Sequence, residues 1–345
     1  MIQTAKEIAE QSTVIRGLLD QETENVKRIA AAVREFNPAF IMIAARGTSD
    51  NAARYAQYML GIHARMPVAL ATPSIHTLYD APPDLSRALV IGISQSGQSR
   101  DVGRVVRDAR EQGALTLNIT NDENSPMAQN ADHHLSLHCG EEIAVAATKT
   151  YTAELTAIAM LTAALVDDAG LIASLPLLPD HIQETLTRSA DIGSWVQRYR
   201  YVERIAVIAR GYNYCTAFEI SLKIKELCGI TGEQYSEADF LHGPIAVIER
   251  GFPVVVVAPR GKTMARLVEL LEKLKRKQAE CLIVSNQDSL AAMGQVYMPI
   301  PQTTPEWLSP ICAVIPGQIF AMHLANTKGL SVDKPRALTK VTITE

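Results

Sequence analysis

The chain has 345 residues, 47% of them hydrophobic, which suffices for one large core or two domains of common size. Its formal net charge of −4 gives no footprint for nucleic acid or a membrane surface, so neither is expected as a partner. The five cysteines are scattered with no CxxC pair, which points to reduced thiols and a cytoplasmic protein.

The first 30 residues read as an amphipathic, charged helical segment rather than a signal peptide. Short aliphatic runs then alternate with helix patterns. "FIMIAA" (40–45), "ALVIGIS" (88–94), "LTLNIT" (115–120) and "HLSLH" (134–138) read as strands, with helices such as 50–61 and 100–112 between them. The first three are near-continuous hydrophobic runs, as in strands covered on both faces. Strand–helix alternation predicts right-handed crossovers and a mostly parallel sheet. The stretch Leu155–Val166 is taken as the longest uncharged apolar run, and it is too short to span a bilayer.

The same order then recurs. "IAVIARG" (205–211) echoes "IMIAARG" (41–47) at an offset of 164, with Arg210-Gly211 matching Arg46-Gly47. "VVVVAP" (254–259), "CLIVSN" (281–286) and "QVYMPI" (295–300) take the places of the next three strands. A whole domain is duplicated. The expected organisation is a helical segment 1–30, a first domain 31–166, a linker 167–195, a second domain 196–332 and a tail 333–345. Each domain should be a doubly wound, flavodoxin-like α/β layer structure.

The strand 88–94 runs into "SQSGQSRD" (94–101) and then a helix. Such a turn offers backbone N–H groups and a positive dipole end to an anion. Ser94, Ser96 and Ser99 add hydroxyls, Gln95 an amide, and Gly97 permits close approach. A second hydroxyl loop, "RGTSDN" (46–51), carries Thr48 and Ser49. An ordinary helix N-cap would account for one serine, but not for three plus a glycine beside a second such loop. No GxxxxGK[ST] or GxGxxG pattern is present, so a small phosphate monoester fits better than a nucleotide.

In the second half, the helix pattern 215–229 is apolar except for Glu219, Lys223 and Glu226 on one face, and Lys225 elsewhere. On a surface helix this would be a salt-bridge stripe. The flanking Phe218, Ile220, Leu222, Ile224 and Leu227 predict burial instead, where charges must be paired or used. His242, before Gly243-Pro244, reads as an exposed loop residue. His133, His134 and His138 look like a metal box, but a strand would split them between faces and no zinc spacing appears, so no metal is expected.

These segments together resemble the sugar isomerase (SIS) domain family. The phosphate loop "SQSGQSRD" carries the likeness, with "RGTSDNA" (46–52), "EEIAVAATKTYTAE" (141–154), "FEISLKIKE" and "ADFLHGP" (218–244), and "DKPRALTKVTITE" (333–345). The duplicated arrangement resembles the isomerase half of glutamine–fructose-6-phosphate amidotransferase. The chain opens in that half, so a stand-alone relative without glutaminase activity is expected.

The resemblance implies roles. Ser94, Gln95, Ser96, Ser99, Ser49 and Thr48 hold the sugar phosphate. Glu226 moves a proton between C1 and C2, with Lys223 and Glu219 as polar neighbours. His242 opens the sugar ring from a neighbouring subunit, so a homodimer with a shared site is implied. Lys340 forms a Schiff base with the sugar ketone, and the tail that carries it should be ordered over the site. Ala147 stands where the synthase pattern has a sugar-contacting serine, a departure that weakens synthase-like specificity. No cofactor is implied. The expected activity is glucosamine 6-phosphate to fructose 6-phosphate plus ammonia. The alternatives are a fructosamine-phosphate deglycase, a plain phosphosugar isomerase, or a non-catalytic sugar-phosphate sensor.

Overall fold

A computed structural model of the chain describes residues 2–340. It divides into two compact units, of which the first takes in one short stretch from the other half of the sequence and the second takes in two. The first holds residues 13–142 and 149–176, together with the described end of the tail, residues 339–340. The second holds residues 2–12, 143–148 and 177–338.

The first unit contains a five-stranded sheet of β1 (Phe40–Ala44), β2 (Val68–Leu70), β3 (Ala88–Ser94), β4 (Leu115–Thr120) and β5 (His133–Ser136), in the order β2-β1-β3-β4-β5. Every pairing is parallel. The central strand β3 is buried at all seven positions, which is why "ALVIGIS" is hydrophobic without alternation. Val102, Val105, Val106 and Ala109 of the helix Arg100–Glu111 pack on one face with Val90, Ala44 and Met127. Their spacing is the apolar stripe of an amphipathic helix.

The second unit repeats the plan. Its strands β6 (Arg204–Ala209), β7 (Thr231–Ser236), β8 (Pro253–Val257), β9 (Glu280–Ser285) and β10 (Val296–Pro299) are ordered β7-β6-β8-β9-β10, again wholly parallel. Replacing β6 by β1 and so on reproduces the first sheet. The duplication read from "IARG" and "AARG" is therefore a duplication of topology. Both sheets have the flavodoxin-like strand order, so the carboxyl ends of their central strands are where ligands bind in such layers.

Two expectations need correction. The strands β2 and β7 were not expected. Both are sheet edges, part-exposed and short or polar ("VAL", "TGEQYS"), so neither carries a hydrophobic run. The longest uncharged apolar run is also not Leu155–Val166. The segment Glu306–Thr327 has one charge, at its first residue, and is long and apolar enough to cross a membrane by composition. Of its apolar window, 94% is buried inside the protein, where the helix Ser309–Thr327 packs on the helices Tyr214–Cys228 and Leu178–Arg188 of its own unit. It is a core helix, apolar all round because it is covered all round.

Candidate active site

In the first unit, β3 ends at Ser94 and the chain turns into the helix Arg100–Glu111 through residues 95–99. The turn is shaped by its own hydroxyls. Ser94 Oγ accepts from the Gly97 N–H at 3.2 Å and lies 3.1 Å from Ser99 Oγ. Ser96 Oγ accepts from the Gln98 N–H at 3.2 Å. Gly97 has a φ of +62°, and a Cβ there would lie 2.1 Å from Ser125 Oγ, so the position takes only glycine. The Asn121 N–H donates to the Gln95 carbonyl and the Met127 N–H to the Gly97 carbonyl, which brace the turn against β4 and its following loop. Ser99 occupies the N-cap of the helix, yet its side chain makes no capping bond. The hydroxyl is not used to start the helix, which is what the ordinary N-cap reading requires.

The second hydroxyl loop opens the helix Gly47–His63. Ser49 is buried and its Oγ donates to Glu154 Oε1 at 2.7 Å, while Thr48 is half-buried. Ser49 thus has its proton directed at a carboxylate in this state. The two loops are tied by Arg46, whose Nε donates to Asp101 Oδ2 at 2.7 Å. Asp101 is completely buried and Arg46 half-exposed. The shared Arg-Gly dipeptide acquires a reason here: Arg210 makes the same kind of ion pair with the buried Glu237 in the second unit. Sequence reasoning used Arg46 only as a repeat marker.

Glu142 was also passed over. Its side chain is completely buried, and hydrogen bonds reach both of its carboxylate oxygens. Oε1 takes the Thr150 N–H at 3.2 Å, and Oε2 takes Thr150 Oγ1 at 2.7 Å and Lys340 Nζ at 2.9 Å. Thr150 belongs to the first turn of the helix Lys149–Val166. Of the expected tail, residues 333–340 are placed, and 341–345 lie outside the described residues. Nearby, burial and then the Glu142 carboxylate push the Cys139 thiol well above its ordinary pKa, so it is no nucleophile. His134 and His138 find partners in Thr120 Oγ1 (2.8 Å) and Glu22 Oε1 (2.6 Å).

In the second unit, the helix Tyr214–Cys228 carries the predicted charged face. Lys223 is 1% exposed and Glu219 0%, with 3.4 Å between Lys223 Nζ and Glu219 Oε1. Glu226 lies 2.5 Å from the same ammonium and is 24% exposed. The three residues therefore form one cluster, two members sealed and one open. His242 caps the helix Glu237–Leu241 and is exposed, and its backbone N–H donates to the Asp239 carbonyl at 3.1 Å. Ala147 and Thr148 belong to the stretch 143–148. That stretch is held by the Glu7 carboxylate on the Ile143 N–H (2.6 Å), by the Val145 N–H on the Asp333 carbonyl (3.3 Å), and by Gln318 Nε2 on the Thr148 carbonyl (3.3 Å).

The SIS domain model matches residues 37–164 and 199–328, one match per repeat. The chain belongs to the SIS domain family. Glutamine–fructose-6-phosphate aminotransferase of Aquifex aeolicus is 32% identical to it over 343 residues, covering 99% of this chain and 57% of that protein. This SIS chain therefore spans little more than half the length of the curated relatives it matches. It is homologous to their isomerase part. Among solved structures, a protein of Silicibacter pomeroyi DSS-3, provisionally named a phosphosugar isomerase, superposes with a TM-score of 0.86 at 30% identity, over 96% of this chain and 100% of that one. The C-terminal domain of glucosamine-fructose-6-phosphate aminotransferase from Francisella tularensis gives a TM-score of 0.87 at 23% identity, over 96% and 98%. That second likeness is one of fold.

Proposed function

We propose that this SIS protein is an aldose–ketose enzyme of amino-sugar phosphates. In its most concrete form it converts glucosamine 6-phosphate to fructose 6-phosphate and ammonia. The observation that carries the reading is the charged cluster on the helix Tyr214–Cys228. A sealed Lys223–Glu219 pair backs a carboxylate that remains open at 24% exposure. Charges within an apolar helix are costly unless they are paired or put to use, and the openness of Glu226 supports its use.

In this reading the hydroxyls of Ser94, Ser96 and Ser99, with Gln95, Ser49 and Thr48, anchor the phosphate. His242 opens the ring. Glu226 takes the C2 proton of the open-chain amino aldose and returns it to C1, which leaves an imine at C2. Hydrolysis of that imine releases ammonia. Lys340 is the amine that can exchange with it. A plain isomerase needs only the carboxylate, so a lysine poised on a buried acid favours a substrate with nitrogen at C2. The exposure of His242 fits a ring-opening group supplied to a second copy, and a homodimer is part of the proposal.

Ammonia release from glucosamine 6-phosphate by the purified protein is the direct assay. Turnover is expected, and Glu226→Gln should lower it about 10²–10⁴-fold, the range for loss of a positioned acid–base group. Turnover of a fructosamine phosphate alone would make the protein a deglycase. Sugar-phosphate binding unchanged in Glu226→Gln, with no turnover of either substrate by the unmutated protein, would make it a sensor.

A further inference from the structure

We propose that Glu142 is the proton acceptor and counter-ion of Lys340 during imine formation. The inference rests on the reading of Lys340 as the imine-forming amine, and goes beyond it by naming the group that makes that amine reactive. A lysine nucleophile must first lose a proton, and its ammonium needs an acceptor within hydrogen-bond reach. Glu142 Oε2 lies 2.9 Å from Lys340 Nζ and is completely buried, whereas the lysine is 24% exposed. The lysine can thus meet a substrate on one side and the acid on the other.

The carboxylate is fixed for this task. The Thr150 N–H and hydroxyl hold both of its oxygens, at 3.2 Å and 2.7 Å. Those donors stand in the first turn of an 18-residue helix, where negative charge is favoured. A surface ion pair with two mobile partners would have no such anchor. Burial of a carboxylate without donors is unfavourable, and here Thr150 and Lys340, both of its own unit, donate to it.

The proton balance closes on Glu142. The ammonium passes a proton to Oε2, and the Nζ lone pair attacks C2 of the open-chain ketose, sending the carbonyl pair to oxygen. The remaining Nζ proton count falls by one more as the carbinolamine oxygen becomes a hydroxyl. Glu142 then returns its proton to that hydroxyl, which leaves as water. The products are a protonated imine, one water and a carboxylate beside the new cation. Read backwards, the same steps release the ketose.

The test is borohydride trapping of fructose 6-phosphate on the full chain, followed by mass spectrometry of the peptide that contains Lys340. The unmutated protein is expected to give the secondary amine at Lys340. In Glu142→Gln, trapping should slow about 100-fold or more, the low end of the range for an acid–base group. The exposed neighbour control Glu141→Gln should trap at the unmutated rate. Thr150→Val, which keeps the carboxylate but frees it from its anchor, should be intermediate, and it serves if Glu142→Gln does not fold. Trapping by Glu142→Gln at an equal or higher rate would overturn the proposal, as would an unmutated rate in Thr150→Val. Absence of any adduct at Lys340 in the unmutated protein would instead overturn the reading of Lys340 itself.

Discussion

Lys223 shows how much a single side chain can decide. Its ammonium satisfies both Glu219 and Glu226, and Glu219 has no exposure to water. Replacing it by Met takes the ammonium away from the buried Glu219 carboxylate. Lys223→Met should lower unfolding free energy by about 3–5 kcal/mol in a denaturant titration, the usual cost of breaking a buried pair from one side. Gly97 decides the phosphate loop in another way. Gly97→Ala meets both a positive φ and Ser125 Oγ at 2.1 Å, so we expect a loss of about 1–2 kcal/mol from the backbone alone and weaker sugar-phosphate binding by calorimetry. At this scale the sequence was legible where residue types clustered. Three serines and a glycine, or three charges on one apolar face, stand out against their surroundings. Glu142 and Glu154 do not, because a lone acid reads as solvated until burial and its donors are known.

Among elements, the helices Tyr214–Cys228 and Ser309–Thr327 form the most extensive helix–helix contact of the second unit. Gly317 permits it: a Cβ there would lie 2.4 Å from Ile220 Cγ1. Gly317→Ala should push the helices apart or force Ile220 off its rotamer, costing about 1–3 kcal/mol in thermal or chemical unfolding despite the better helix propensity of alanine. Because Ile220 lies one position from Glu219, this strain would also reach the charged cluster. Elements were legible in the sequence in proportion to their burial. The strands β3, β4, β8 and β9 follow from their hydrophobic runs, and the shared order of the two sheets follows from the repeat. The edges β2 and β7 were invisible because half of each faces outward. The helix Ser309–Thr327 was misjudged because a covered helix has no periodicity to count.

For the whole molecule, acid should be the sensitive direction. Burial lowers the pKa of His134, His181 and His323 below the ordinary histidine value. Each ring binds protons more readily unfolded than folded, so their contribution is complete above about pH 6.5 and is lost as pH falls towards the lower folded values. Asp333 adds a second window. Its desolvation is outweighed by the Thr4 and Gln3 N–H groups and the Thr4 hydroxyl, so its pKa is lowered, and its contribution is present above about pH 4 and lost below. The melting temperature should therefore fall steadily between pH 7 and pH 5, and a flat profile there would contradict the assignment of neutral, partly desolvated rings. The proposed dimeric sharing of the site predicts that mixing inactive Glu226→Gln with inactive His242→Ala protein restores activity, since a mixed pair retains one intact set. The duplication was legible from the chain alone, whereas the exchange of residues 143–148 and 339–340 between repeats was not, because unit membership depends on packing. The central claim is that Glu226 moves a proton between C1 and C2 of a sugar phosphate. Proton NMR of fructose 6-phosphate with the protein in deuterium oxide tests it most directly. The account predicts loss of a C1 proton signal by exchange with solvent, abolished in Glu226→Gln. Bound fructose 6-phosphate that keeps both C1 protons, with the unmutated enzyme, would contradict it.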